Sequence, residues 1–161
     1  MAEQMQRDFN AEACWVNLRA SLPNNEFDLV RWHKDQGYFE DNEKAYKLVF
    51  PIMGLPTRFA EAIDAERYDQ LDKECGMNNT TNYNINPEEF KKEDIRIRTE
   101  LMATVQEMQP PGSDQAVIYC VNNDKDSKIH SEPKIDNPRI FMQVLPGSEK
   151  QIGEWKKRAK N

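Results

Sequence analysis

The tripeptide Pro110-Pro111-Gly112 divides this 161-residue chain into two kinds of sequence, and it constrains the fold more than any other feature. Two consecutive prolines fix φ and remove two backbone donors, so neither a helix nor a central strand runs through this point. Upstream, apolar residues recur mostly at spacings of three and four, the period of amphipathic helices. Downstream, residues 115–121 and 139–145 form short apolar runs, β-branched and aromatic, that suit buried strands. The expected fold class is therefore α+β. A mostly helical N-terminal body of four or five helices precedes a small antiparallel β element and a C-terminal helix.

Within the upstream part, Met5, Phe9, Ala13, Val16 and Ala20 mark a helix over 2–21, ended by Pro23-Asn24-Asn25. A second helix is expected over 26–36, acidic at its start, with Gly37 beyond its end. A third covers about 42–50, capped by Asp41 and stopped by Pro51. A fourth covers 57–75, with Phe59, Ala62, Ile63 and Leu71 inward, Glu61, Asp64 and Asp72 on an acidic outer face, and Gly76 after it. The segment 77–86 holds five asparagines, whose side chains compete for backbone hydrogen bonds, and reads as a loop. The chain has the length of a single domain, 1–161, with 1–76 and 87–161 as subdomains hinged at that loop.

Asn86-Pro87-Glu88-Glu89 is the clearest helix start, with an N-cap, proline at N1 and glutamate at N3. Phe90, Ile97, Leu101, Val105 and Met108 share one face down to the proline pair. Ser148 and Gln151 form a capping box for the last helix, whose apolar side carries Ile152, Trp155 and Ala159. The two strand candidates permit an antiparallel pair with a wide loop. Two strands alone are marginal in water, so they need a helix, a further strand or another chain.

The formal charge of −6 is uneven: −6 over residues 1–75, −3 over 76–146 and +3 over 147–161. An acidic body disfavours general binding to phosphate backbones. Cys14, Cys75 and Cys120 are widely spaced, with no Cys-x-x-Cys pair and no nearby histidine cluster, so a finger-like zinc site is not expected. Three unpaired thiols fit a reducing compartment. A polar start and short apolar stretches predict neither a signal peptide nor a membrane span, which gives a cytoplasmic or nuclear location, with a virion or phage particle equally compatible.

Chemistry-bearing motifs are scarce. His33 falls on an expected helix and His130 in a loop, each without an informative neighbour, so both read as structural histidines. Cys120 sits between Tyr119 and Val121, where an inert buried thiol is usual, and a pairing with His130 as a nucleophile's base is disfavoured. Asp124-Lys125-Asp126 lacks the glycine and distal glutamate of a calcium loop. No phosphate-cradling loop or metalloprotease motif is present, so neither cofactor nor metal nor catalytic residue is assigned.

Three functions follow. The first is a non-enzymatic protein that works by contact with another protein, as an accessory subunit, inhibitor or structural component of an assembly. Its candidate surfaces are Ile152, Trp155, Lys156, Lys157 and Arg158 on the last helix and Glu61, Asp64 and Asp72 on the fourth. The alternative is a metal-dependent hydrolase or nuclease using carboxylates of that fourth helix and the 122–128 loop. The third is nucleic-acid binding through Lys91, Lys92, Arg96 and Arg98 together with the basic residues of the C-terminal helix. No membrane partner is expected.

Overall fold

The computed structural model describes residues 1–40, 43–81, 86–123 and 125–158. Among the described residues there are two four-stranded antiparallel sheets and four helices, so helix and strand contribute about equally. The mostly helical N-terminal body expected from the sequence is absent. In its place stand α1 (Ala2–Asp8), β1 (Ala13–Ser21), β2 (His33–Lys34), β3 (Ala45–Met53) and β4 (Arg58–Ala62), before α2 (Ala65–Thr81) and α3 (Pro87–Ala103). The chain continues through β5 (Val105–Glu107), β6 (Val117–Val121), β7 (Ile129–Ser131) and β8 (Arg139–Gly147) to α4 (Glu149–Arg158).

The first sheet has strand order β1-β8-β3-β6, the second β2-β7-β4-β5. The strand candidates at 115–121 and 139–145 are β6 and β8, yet they do not pair, because β3 lies between them. Both sheets draw strands from either side of the Asn-rich segment.

Why these segments extend is visible in their two faces. Successive side chains of a strand alternate. On β3, Ala45, Lys47 and Val49 point inward, while Leu48 lies in the outer cluster with Phe50 against it. On β1, Trp15, Asn17 and Arg19 lie inward and Val16 and Leu18 outward. Both faces carry apolar residues, so matches at spacings of three and four arise without a helix. Pro51 is tolerated in central β3 because the register shifts between Pro51 and Met53, a bulge that relaxes the demand for a ladder donor.

The supposed first helix stops at Asp8, and Asn10 follows with a left-handed φ of 48°, which asparagine tolerates better than most residues. The second expected helix is irregular chain ending in β2. Asp41, the expected third cap, lies outside the described residues, as do Asn82 to Ile85 of the asparagine loop, Asp124 and Ala159. The fourth expected helix is β4 followed by α2, which runs through Gly76 to Thr81. Asp64 caps it, accepting from the Arg67 backbone N–H at 3.0 Å. At α3, Asn86 caps as expected, accepting from the Glu89 N–H at 3.2 Å. That helix ends at Ala103, however, and Val105 belongs to β5. The capping box of α4 is reciprocal: Gln151 N–H donates to Ser148 Oγ at 3.1 Å, and Ser148 N–H donates to Gln151 Oε1 at 2.9 Å.

Each sheet has one covered outer face. Helix α1 lays Met5 on Leu48 and Val144 of the first sheet. The α2–α3 pair lays Tyr68, Leu71, Ile97 and Leu101, all fully buried, on Ala60 and Ile129 of the second. Burial on this scale stabilises by about 1.5–3 kcal/mol per large apolar side chain. The inner faces meet through Phe59, Val49 and Tyr119, and Ile152 of α4 joins this middle cluster beside Leu145. Among the described residues no helix is long and apolar enough to cross a membrane.

Candidate functional site

The inner faces do not close completely on one another. Between them lies a polar cavity of about 250 Å³, reached by side chains from both sheets. On the second sheet, antiparallel pairing sets His33 directly opposite His130, and His130 opposite Phe59. Asp35 follows β2 at the i+2 position from His33, which on extended backbone puts both on one face. From the first sheet come Asn17, Arg19, Lys47 and Gln143. Arg31 and Glu132 complete the charged lining.

Asp35 is the centre of this arrangement. Its Oδ2 lies 3.2 Å from His130 Nε2, and its Oδ1 lies 3.7 Å from His33 Nε2. The Tyr38 hydroxyl donates to Oδ2 at 3.3 Å. The Lys47 ammonium bonds the same oxygen, and also donates to the Tyr38 hydroxyl at 3.1 Å. Lys47 is only 3% exposed, and a cation so deeply placed demands a nearby carboxylate. The histidine rings lie 4.4 Å apart, and His130 also meets the Tyr119 ring at 4.9 Å.

Burial alone would raise the Asp35 pKa. The His130 hydrogen bond and charge, with Lys47 and His33, outweigh it and hold the carboxyl well below its usual range. His33 moves down to about 4, first through burial and next through His130, with Asp35 opposing. The Tyr38 phenol is pushed up by burial and then by Asp35. At neutral pH the centre thus holds an ionised Asp35, a protonated Tyr38 and an uncharged His33. Glu132, half-buried nearby, is raised by desolvation but held below its usual value overall by its interaction with His33, a backbone hydrogen bond, and the neighbouring His130 and Arg31.

Two further orientations matter. His33 Nδ1 lies 2.9 Å from the Arg31 carbonyl, and His130 Nδ1 lies 3.0 Å from the Lys128 carbonyl. Carbonyl oxygens only accept, so both Nδ1 atoms carry the proton, and both Nε2 atoms face Asp35. Secondly, several polar side chains in the lining have no protein partner among the described residues: the Arg31 guanidinium and the Asn17 and Gln143 amides. The buried Tyr119 hydroxyl, close to Asp35, also lacks a hydrogen bond of acceptable geometry.

The residues singled out from sequence lie elsewhere. Ile152 is buried beside Leu145. Trp155 packs its ring on Trp15 at 5.6 Å and Tyr38 at 4.7 Å, and Arg158 donates to the Tyr38 carbonyl at 2.6 Å. Lys156 and Lys157 are exposed. Glu61 sits on β4 beside Lys128 at 3.2 Å, Asp64 caps α2, and Asp72 is half-buried on α2, so the three do not share one helix face. Of the basic set on α3, Arg96 is held by Glu74, Glu93 and Glu100, and Arg98 by Asp94 at 2.8 Å. Cys120 points away from His130, on the opposite side of β6 from Tyr119, and burial raises its thiol pKa. The residues that do assemble, Arg31, Asp35, Tyr38, Lys47, Tyr119 and Glu132 with the two histidines, went unnoticed as a site. The signal available was His33-x-Asp35, which becomes meaningful once the segment is read as extended.

No family model and no curated protein sequence matches this chain. A YbjQ-like protein of unknown function from Sulfolobus solfataricus P2 aligns over 84% of this chain and 98% of its own, at 8% identity. Its TM-score of 0.29 is too low to carry a fold or a function across.

Proposed function

We propose that this protein binds a small anionic molecule in the cavity between its sheets. One observation carries the reading: the lining is cationic inside an acidic chain, and one of its cations is unspent. Arg19 faces Glu132 at 3.5 Å and Lys47 bonds Asp35, while Arg31, which feels Glu132 only at longer range, has no carboxylate within 4 Å among the described residues. With the Asn17 and Gln143 amides also unpaired, the cavity offers charge and directional donors to a carboxylate or phosphate group. The rings of Tyr38, Tyr119 and Phe141 supply apolar walls for the rest of such a ligand. Charge-assisted hydrogen bonds contribute about 1.5–3 kcal/mol each, so Arg31→Gln should weaken binding by roughly 10- to 100-fold. The test is calorimetry of the full chain with phosphate, pyrophosphate, citrate and a nucleoside monophosphate. Binding that Arg31→Gln reduces supports the reading. No heat from any of the four anions, or heat that Arg31→Gln leaves unchanged, refutes it.

A second reading, association of two copies, keeps the protein contact expected from the sequence but moves it to β1. Val16 and Leu18 of this edge strand are 47% and 64% exposed. Antiparallel pairing of an edge with its own copy is self-complementary and gives a two-fold dimer. Light scattering decides: a dimer abolished by Leu18→Lys supports it, and a monomer at every concentration removes it.

A further inference from the structure

We infer that His33, Asp35 and His130 form a binding site for a first-row divalent transition metal such as Zn²⁺, and that the Lys47 ammonium holds the place of that cation when no metal is bound. The inference concerns the two histidines and Asp35, and it stands whether or not the cavity takes an anion.

The tautomers lead to it. Each histidine uses Nδ1–H on a backbone carbonyl, at 2.9 Å from Arg31 O and 3.0 Å from Lys128 O. This is how metal-binding imidazoles are usually held: the outer contact fixes the ring and leaves the Nε2 lone pair for the ion. Here both Nε2 atoms converge on the Asp35 carboxylate, where a metal ion can take the place of an Nε2 proton and draw all three groups together as ligands. Lys47 reaches the same carboxylate from one side, at Oδ2, and among the described residues no hydrogen bond joins it to either histidine.

The distances fit a metal. Bonds of about 2.05 Å at tetrahedral angles place ligand atoms about 3.3 Å apart. His130 Nε2 is 3.2 Å from Asp35 Oδ2, and His33 Nε2 is 3.7 Å from Oδ1. One ligand atom from each of the three residues can be chosen with all of them within 4.8 Å of one another, the scale of a single coordination sphere. The strands fix the pair in any case, since His33 and His130 are cross-strand neighbours. Two imidazoles and one carboxylate select zinc, cobalt, nickel or iron(II) over magnesium or calcium, which prefer all-oxygen sets. Three protein ligands also leave a coordination position open toward the cavity, the arrangement of sites that bind a small molecule at the metal.

The experiment uses the full chain stripped with EDTA and then dialysed. Zn²⁺ is titrated by calorimetry and Co²⁺ by visible absorption, for the wild type and for His33→Gln, His130→Gln and Lys47→Met. The expected result is one equivalent bound, at least ~10-fold more weakly in each histidine variant. Lys47→Met, which removes the competing ammonium, should bind more tightly. Should a histidine variant prove unfolded by circular dichroism, the Lys47→Met comparison still decides, because a metal that does not compete with Lys47 gains nothing there. Sub-stoichiometric binding, binding indifferent to His33→Gln, binding no tighter in folded Lys47→Met, or cobalt–thiolate charge-transfer bands pointing to the cysteines would each overturn the inference. Anion binding by the EDTA-stripped protein is a separate readout, so failure of the metal site and failure of the anion site are told apart.

Discussion

Replacing Lys47 by methionine probes the centre of the cavity directly. The substitution keeps the length and apolar stem of a side chain that is 3% exposed, and removes the charge bonded to Asp35 together with its hydrogen bond to the Tyr38 hydroxyl. Removing one partner of a fully buried ion pair costs about 3–5 kcal/mol, because the other charge is left uncompensated. Two features reduce that figure here. Asp35 retains 17% exposure of its side chain, and it still faces His130 at 3.2 Å and the Tyr38 hydroxyl at 3.3 Å. A loss of about 2–3 kcal/mol is therefore expected, which for a chain of this length lowers Tm by roughly 5–10 °C. Calorimetric melting in EDTA measures it. Asp35→Asn combined with Lys47→Met should recover much of the loss, since no orphaned carboxylate remains, and the double-mutant cycle reports the coupling. Zinc at a hundred times its Kd should return about 2.7 kcal/mol to Lys47→Met. A Lys47→Met protein that melts with the wild type, or a double variant whose loss is the sum of the singles, refutes the account of Lys47 as the counter-ion of Asp35.

Three other outcomes test the frame around the site. Gly54 has a φ of 92°, and a Cβ there would lie 3.2 Å from both Arg139 Cα and the Pro138 carbonyl, so Gly54→Ala should cost about 2 kcal/mol or more in urea unfolding. Asn86→Ala removes the hydrogen bond to the Glu89 N–H and should cost about 1 kcal/mol by the same assay, with a neutral result ruling out that cap. Ile152→Ala should cost about 3 kcal/mol, since the side chain is 2% exposed beside Leu145; a cost below about 1 kcal/mol would mean that α4 is not part of the core.

What could be read from the sequence was what short-range chemistry determines. Asn86-Pro87-Glu89 and Ser148-Gln151 each place a cap within one turn, and both helix starts stand where they were expected. β6 and β8 stand where their β-branched runs lie. The N-terminal half misled because β1 and β3 are apolar on both faces. One face is covered by α1 or left open, the other turns to the opposite sheet, and the alternation that marks a one-sided strand is lost. Met5, Phe9, Ala13, Val16 and Ala20 look like one helical stripe, yet the left-handed Asn10 separates a two-turn helix from a strand.

The site was hidden by the same error, compounded by distance along the chain. On a helix, two residues of spacing i, i+2 point about 200° apart, so reading 26–36 as helical sent His33 and Asp35 to opposite sides. On the extended backbone that exists, they share a face. His130 then arrives through β7, whose three residues are all buried and whose register with β2 sets histidine against histidine. Lys47 comes from the facing sheet, where a lysine among Tyr46, Leu48 and Val49 reads as the polar side of a helix until its buried partner is known. A lysine kept in such an environment, where a methionine would pack without needing a counter-ion, is explained by the carboxylate it answers. The carboxylate in turn is explained by the two imidazole nitrogens aimed at it. Each member of the group is costly alone and satisfied by the others, and the same three groups are those that a metal ion, on the inference above, would draw together as ligands.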